Sequence, residues 1–285
     1  MMAALVTEAI GEIPIVRACS LLSLGRAEYY RLKCHEDSAE EDLELREQIQ
    51  EVALRWPMYG YRRITKELAR QGTVVNHKRV LRLMRADNLL CFRKKRFVTT
   101  TDSVHPFPYY PNLVPDLDVS DIDQLWVADI TYIRVLSEFI YLAVVLDAYS
   151  RRCVGWALGR TLSANLAIAA LEVAFAKRKV GPGLVHHSDR GVQYASLAYT
   201  GMLRRRGIRI SMSRRGNPYD NAQAERFMRT LKQEEVYLFE YESLEEAEKR
   251  ITTFLDEVYN QKRLHSAIGY VPPVEFEKSL KTHGA

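Results

Sequence analysis

From position 124 onward the chain alternates between short apolar runs and stretches of helical periodicity. Apolar, strand-like runs occupy 125–135, 139–147 and 153–158, joined by turns short enough to predict an antiparallel meander. A helical pattern follows from Ser163 to Lys179, with Ser163 as its cap and Leu166, Ile168, Ala170, Leu171 and Phe175 on its apolar positions. Next come a strand at 184–188, a helix at 195–206, a strand at 208–212 and a helix at 220–237. A last long helix runs from Ser243 to about Gln261, opened by Ser243 and Glu246 as a capping box. Three hairpinned strands followed by alternating helices and strands predict an α/β fold, a mixed five-stranded sheet covered by helices.

The N-terminal third reads as helical. Ile13 to Leu22, a break at Ser23-Leu24-Gly25, then Arg26 to Lys33 resembles a small helix-turn-helix. Leu43, Ile49, Val52 and Leu54 recur on a helix that ends before Pro57. Tyr61–Arg70 and Asn76–Ala86 form two further helices, separated by Gln71-Gly72, with Asn76 capping the second. Lys78, Arg79, Arg82 and Arg85 then fall away from Val80, Leu83 and Met84, as on a recognition helix in a major groove. Residues 91–123 hold Arg93-Lys94-Lys95-Arg96 and four prolines, and read as a linker. The organisation expected is a helical DNA-binding region at 1–90, this basic linker at 91–123, and a catalytic core with a helical tail at 124–285.

Charge sharpens that division. Between Arg55 and Thr100 thirteen Lys or Arg stand against two acids, Glu67 and Asp87, while Glu36 to Glu51 is strongly acidic. Such a block is either a solvated face or a polyanion-binding surface, and Arg62, Arg63, Lys78, Arg79, Arg82, Arg85, Lys94, Lys95 and Arg96 are its candidate DNA contacts. The four cysteines are scattered without a Cys-x-x-Cys pair, so neither a zinc site nor a disulfide framework is expected. No apolar stretch approaches a membrane span, and the N-terminus lacks a basic region like that of a signal peptide. The expected compartment is the cytoplasm, in association with the nucleoid.

Three acids carry the chemistry. Asp129 lies inside the first strand, Asp189 follows the fourth, and Glu225 falls in a helix opened by Asn217-Pro218-Tyr219-Asp220-Asn221, with 35 residues between the last two acids. A carboxylate in a buried strand is costly unless paired or bound to a cation. Three at the edges of regular elements are able to hold Mg²⁺ through oxygen, two such ions serving phosphodiester hydrolysis and transesterification. Asp147 reads instead as a turn residue and Asp220 as a helix cap. Arg229 and Lys232 lie one and two turns after Glu225 on its face, as phosphate contacts or as a surface ion pair. Alternation puts His187 on the face of Asp189, either supporting the metal ligands or simply buried and hydrogen-bonded.

These segments resemble the integrase core of bacterial insertion-sequence transposases: Ala128-Asp129-Ile130-Thr131-Tyr132, His186 to Tyr194, and Ser211 to Glu225. The tail from Tyr259 to Phe276, and Tyr59–Ile64 with Val75–Val80, extend the likeness to the second-reading-frame (orfB) product of the insertion-sequence-three family. The resemblance implies a ribonuclease-H-like core with Asp129, Asp189 and Glu225 as its acidic triad, dependence on Mg²⁺ with Mn²⁺ able to replace it, and a homo-oligomer assembled on transposon ends. It also implies a role for Lys232, which matches a basic position of the family. In that family the active enzyme is usually a frameshift fusion with a first-frame (orfA) product that supplies a coiled coil, and no heptad run is present here. Two rival classes share parts of the pattern: a catalytically silent DNA-binding regulator or domesticated remnant, and a ribonuclease-H-type nuclease.

Overall fold

The computed structural model describes residues 14–90 and 108–283, apart from Leu22, Ser137, Arg215 and Gly216. The proposed linker cations Lys94, Lys95 and Arg96 lie outside the described residues. The chain divides into two compact units between Arg93 and Lys94.

The first unit is helical: α1 (Ile15–Leu21), α2 (Arg26–Arg55), α3 (Tyr61–Arg70) and α4 (His77–Ala86). The expected helix over 26–33 is not separate, because it continues without interruption into α2. Nor do Leu43 and Leu54 face inward. Leu45, Ile49 and Val52 are the buried stripe of α2, spaced four and three apart as one helical face requires. They meet Ile64 and Leu68 of α3 and Val80, Leu83 and Met84 of α4, all buried. Asn76 caps α4 by accepting the Lys78 N–H at 2.8 Å.

The second unit is a five-stranded mixed sheet in the order β3-β2-β1-β4-β5. Its strands are β1 (Leu125–Val135), β2 (Glu138–Asp147), β3 (Cys153–Gly159), β4 (Val185–Ser188) and β5 (Arg209–Met212). The first three form an antiparallel meander, while β4 lies parallel to β1 and β5 parallel to β4. Side chains alternate across β1, so its two faces feed two cores. Leu125, Val127 and Ile133 join a cluster with Ala224, Phe227, Met228 and Leu231. Trp126 and Ala128 join another, with Leu166, Ala170, Leu171, Tyr194 and Leu203. Helix α5 (Ala164–Lys177) covers that second face at close range. A Cβ on Gly155 would stand 2.2 Å from the Ala170 carbonyl, so only glycine permits this approach of β3 to α5.

The expected helix at 195–206 is α7 (Leu197–Arg205), preceded by the short α6 (Val192–Ala195), while two other expected helices are divided. Ser196 is extended and its Oγ accepts the Tyr199 N–H, so it starts a new helix rather than continuing one. The stretch 220–237 is a 3₁₀ turn at Pro218–Asn221, then α8 (Ala222–Leu231), then a π turn at Lys232–Val236. The final stretch is α9 (Leu244–Thr253) continued by a π segment, Phe254–Lys262. Ser243 Oγ accepts the Glu246 N–H, but Glu246 reaches back to the Glu242 N–H rather than to that of Ser243. The chain ends in α10 (Pro273–His283). Glu277 of α10 hydrogen-bonds Ser150 Oγ at 2.7 Å and Arg152 at 2.6 Å, tying the tail to the β2–β3 turn.

Candidate active site

Strand register brings the first two acids together. Val127 pairs with His187 across the parallel β1–β4 ladder. Two residues beyond that pair, Asp129 lies on β1 and Asp189 just past the end of β4, near enough for their charges to interact. Asp129 shares a face with Val127 and so points to the side covered by α8, where Glu225 stands in the first turn.

Each Asp is oriented by its own backbone. Asp129 Oδ1 accepts the Ile130 N–H at 2.9 Å, and Asp189 Oδ1 accepts the Gly191 N–H at 2.9 Å. A Cβ on Gly191 would sit 3.0 Å from Asp189 Oδ1 and 2.9 Å from Gln193 Oε1, so a side chain there would press on the carboxylate.

The charges are coupled. Burial pushes the half-buried Asp129 carboxyl up to about 8, and the negative charges of Asp189 and Glu225 add to the rise. The Ile130 hydrogen bond and the Lys232 cation oppose it. Partial burial also raises Glu225, with Arg229 pulling the other way. Lys232 stands with Nζ 4.5 Å from the centre of the Tyr132 ring, its charge directed to Asp129 rather than to Glu225. The cluster therefore carries three acids against few cations. Among the described residues no three carboxylate, imidazole or thiol groups are already gathered closely enough to hold an ion. The acids are neighbours by charge, with Glu225 the exposed member.

His187, on β4, is buried and held against β5. Its Nδ1 meets Ser211 Oγ at 2.8 Å and its Nε2 meets Ser213 Oγ at 3.0 Å. Burial holds its pKa down at about 4, so the ring is neutral at physiological pH. His186, on the other face, meets the Tyr199 hydroxyl at 2.9 Å.

The two acids read as structural are turned elsewhere. Asp147 accepts hydrogen bonds from the Asp123, Tyr149 and Ser150 amides and from Ser150 Oγ. Asp220 is not a cap. It accepts from the Arg214 amide and guanidinium and from Asn217, bracing the loop before α8, and the Arg214 hydrogen bonds hold its carboxyl at about 2.

Two site residues escaped the sequence reading. Asn221 Nδ2 donates to the Ala128 carbonyl at 3.2 Å, coupling the start of α8 to β1. Tyr194 is buried in α6 with its hydroxyl unpartnered among the described residues, near enough to Asp129 and Asp189 to feel both charges. The run of turn residues before Glu225 held the only hint of the first, and an apolar-looking helix position concealed the second.

The basic helical face is narrower than expected. Arg79 and Arg82 reach Asp42 of α2 at 2.8 and 2.7 Å. Lys78 and Arg85 of α4 are exposed. Arg62 bonds the Tyr61 hydroxyl, and Arg63 lies over the Tyr59 ring.

Comparison with known proteins decides the family. Residues 121–218 and 206–273 match two models of the integrase core domain, and residues 40–97 match an HTH-like domain. The chain is 35% identical over 265 residues to an insertion element IS600 31 kDa protein of Shigella sonnei, covering 91% of this chain and 97% of that one. It belongs to the insertion-sequence-three family of transposases. The transposase InsF for insertion sequence IS3A of Escherichia coli is 36% identical over 220 residues, 77% of this chain and 76% of the relative. Among solved structures, the catalytic core domain of BIV integrase aligns at 21% identity with a TM-score of 0.42, covering 57% of this chain and 99% of that one. The five-stranded mixed sheet and the helices that flank it fall within the residues matched by the integrase core domain models.

Proposed function

We propose that this transposase chain is a catalytic subunit of the DDE type, cleaving DNA at insertion-sequence ends and joining the freed 3′ ends to a target. Asp129, Asp189 and Glu225 would hold the divalent ions. The observation that carries this reading is the concentration of negative charge at Asp129, which burial, Asp189 and Glu225 all make costly to ionise. Oxygen donors of this kind suit Mg²⁺, with Mn²⁺ as a substitute. When bound, two such ions activate the attacking oxygen and neutralise the leaving one.

The chain's own groups do the rest. The Ile130 and Gly191 amides fix how the two aspartates present their oxygens. Lys232 and Arg229 supply positive charge on the α8 side, where the strand's phosphates are to be drawn in. His187, neutral and bonded through both nitrogens, supports the site from behind by joining β4 to β5 rather than by moving protons. The partners are duplex DNA, further copies of this chain assembled on it, and a first-frame product that provides the coiled coil this sequence lacks. The working compartment is the cytoplasm at the nucleoid. No helix of the described residues is long and apolar enough to cross a membrane.

Asp129→Asn, Asp189→Asn and Glu225→Gln each remove one anionic ligand at constant side-chain size. Each is expected to abolish Mg²⁺-dependent strand cleavage and strand transfer while duplex binding in EDTA stays near wild type. A variant that still cleaves at the wild-type rate would exclude its residue from the site.

A further inference from the structure

The turn between β2 and β3 carries a cation that the catalytic reading leaves unused. Arg151 stands there at φ +65°, a left-handed conformation that Gly or Asn adopts with less strain. The turn fixes it: the Arg151 N–H donates to the Asp147 carbonyl, and the Asp147 N–H donates to that of Arg152. The guanidinium is half-buried and its Nε is sealed from solvent without a hydrogen-bond partner among the described residues. The acid closest to it in the chain, Asp147, is occupied by three donors of its own turn and by the Asp123 N–H.

A second cation stands close by. Arg226, exposed on α8 directly after Glu225, is near enough that its charge works against that of Arg151. Two guanidiniums near each other, one of them half-buried with its Nε unpartnered among the described residues, form a favourable environment for an incoming anion.

Arg151 also borders a cavity of about 650 Å³ whose other walls include Tyr149, Gln223, Ala267, Gly269 and Phe276. The Tyr149 and Phe276 rings lie 5.5 Å apart and form an apolar side. Gln223, opposite in chemistry, offers a donor and an acceptor. It sits two residues before Glu225, so this cavity and the acidic cluster share the first turn of α8.

We propose that this cavity is a phosphodiester-binding subsite of the transposase, in which Arg151, helped by Arg226, takes a backbone phosphate of the bound DNA away from the scissile bond. The Tyr149–Phe276 side then receives the attached sugar or base, since aromatic faces stack on any nucleotide. Recognition of this kind is independent of sequence. The inference rests on the reading of DNA as substrate given above.

The test is binding of the full chain to a short duplex of arbitrary sequence, in EDTA so that no chemistry occurs, across a KCl series. Arg151→Asn relieves the backbone strain, so its Tm is expected to equal or exceed that of the wild type. Its slope of log affinity against log salt is expected to fall by about 0.9, the loss of one phosphate contact. Arg151→Lys keeps the charge and most of the slope. A lower Tm for Arg151→Asn with unchanged slope would make Arg151 a structural residue and overturn the proposal. A change in oligomeric state with unchanged slope would overturn it too, assigning the guanidinium to a carboxylate of a second copy. A parallel arm measures the thermal shift produced by inorganic pyrophosphate. If the wild type binds no duplex but pyrophosphate stabilises it and not Arg151→Asn, the subsite stands and the DNA reading fails. If neither probe binds, both fail.

Discussion

Asn221 donates its Nδ2 hydrogen to the carbonyl of Ala128 at 3.2 Å, one residue before Asp129 and four before Glu225. A single amide thus links the strand and the helix that carry two of the three acids. Its side chain is almost fully buried, so the link cannot be traded for water.

Asn221→Ala should therefore act on chemistry more than on binding. The loss leaves a buried carbonyl unsatisfied, which costs about 1–3 kcal/mol of stability. A shift of α8 against β1 of the order of 1 Å is expected to lower strand transfer about 100-fold. The Mg²⁺ concentration for half-maximal activity should rise, and duplex affinity in EDTA should stay unchanged. A variant with lower Tm but the wild-type rate and Mg²⁺ requirement would reduce Asn221 to packing.

Asp147→Asn should show the opposite balance. Asp147 Oδ2 accepts the Asp123 N–H, and an amide nitrogen in that place would face it donor to donor. A stability loss of about 1–3 kcal/mol is expected, with cleavage per folded molecule close to wild type. Complete inactivity in a folded Asp147→Asn protein would bring this acid into the catalytic set.

Above about pH 6.5, where the buried His186 and His187 are neutral in the folded chain and largely so in the unfolded one, the metal-free protein should lose stability as pH rises to about 8. The Asp129 carboxyl is pushed up to about 8 in the folded chain from 3.8 for a free aspartate, so between those values the folded chain holds a proton that the unfolded chain has released. The proton uptake on folding makes ΔG of unfolding fall with pH across that window. Added Mg²⁺ should consequently raise Tm more at pH 8 than at pH 5, and Asp129→Asn should flatten both responses. Differential scanning calorimetry with and without EDTA measures them, and a Tm that climbs from about pH 7 to pH 8 without metal would contradict the assignment.

On α4 the four basic residues should separate into two pairs. Lys78→Ala and Arg85→Ala are each expected to cut the salt slope of duplex binding by about 0.9. Arg79→Ala with Arg82→Ala removes the contacts to Asp42, and should change stability by no more than about 1 kcal/mol for each partly exposed pair while leaving the slope intact. A loss of slope in that double variant would mean that both side chains leave Asp42 for phosphate when DNA arrives.

The strands were legible because both faces of β1, β2 and β4 are packed, which leaves continuous apolar runs in the sequence. Helix ends were less so, since Ser196 restarts a helix where the apolar period runs on, and π turns at Lys232 and Phe254 leave no compositional mark. Asp129, Asp189 and Glu225 stood out as acids in apolar or turn-bounded contexts. The fate of Arg79 and Arg82 did not, because their partner Asp42 lies 37 and 40 positions earlier and is met only through tertiary packing. Asn221 and Tyr194 were hidden for the same reason: what distinguishes them is a neighbour across the sheet, and no local pattern encodes it.

The parallel pairing of β1 with β4 also sets a timetable. Asp129 and Asp189 are separated by the whole meander and α5, so their meeting requires the closure of a long loop, an entropically costly and slow step for any chain. The local hairpins of β1, β2 and β3 need no such closure and are free to form first. A chain emerging from synthesis would then hold a folded scaffold before Asp129 and Asp189 meet. The cluster of three acids would be complete only later still, when α8 brings Glu225.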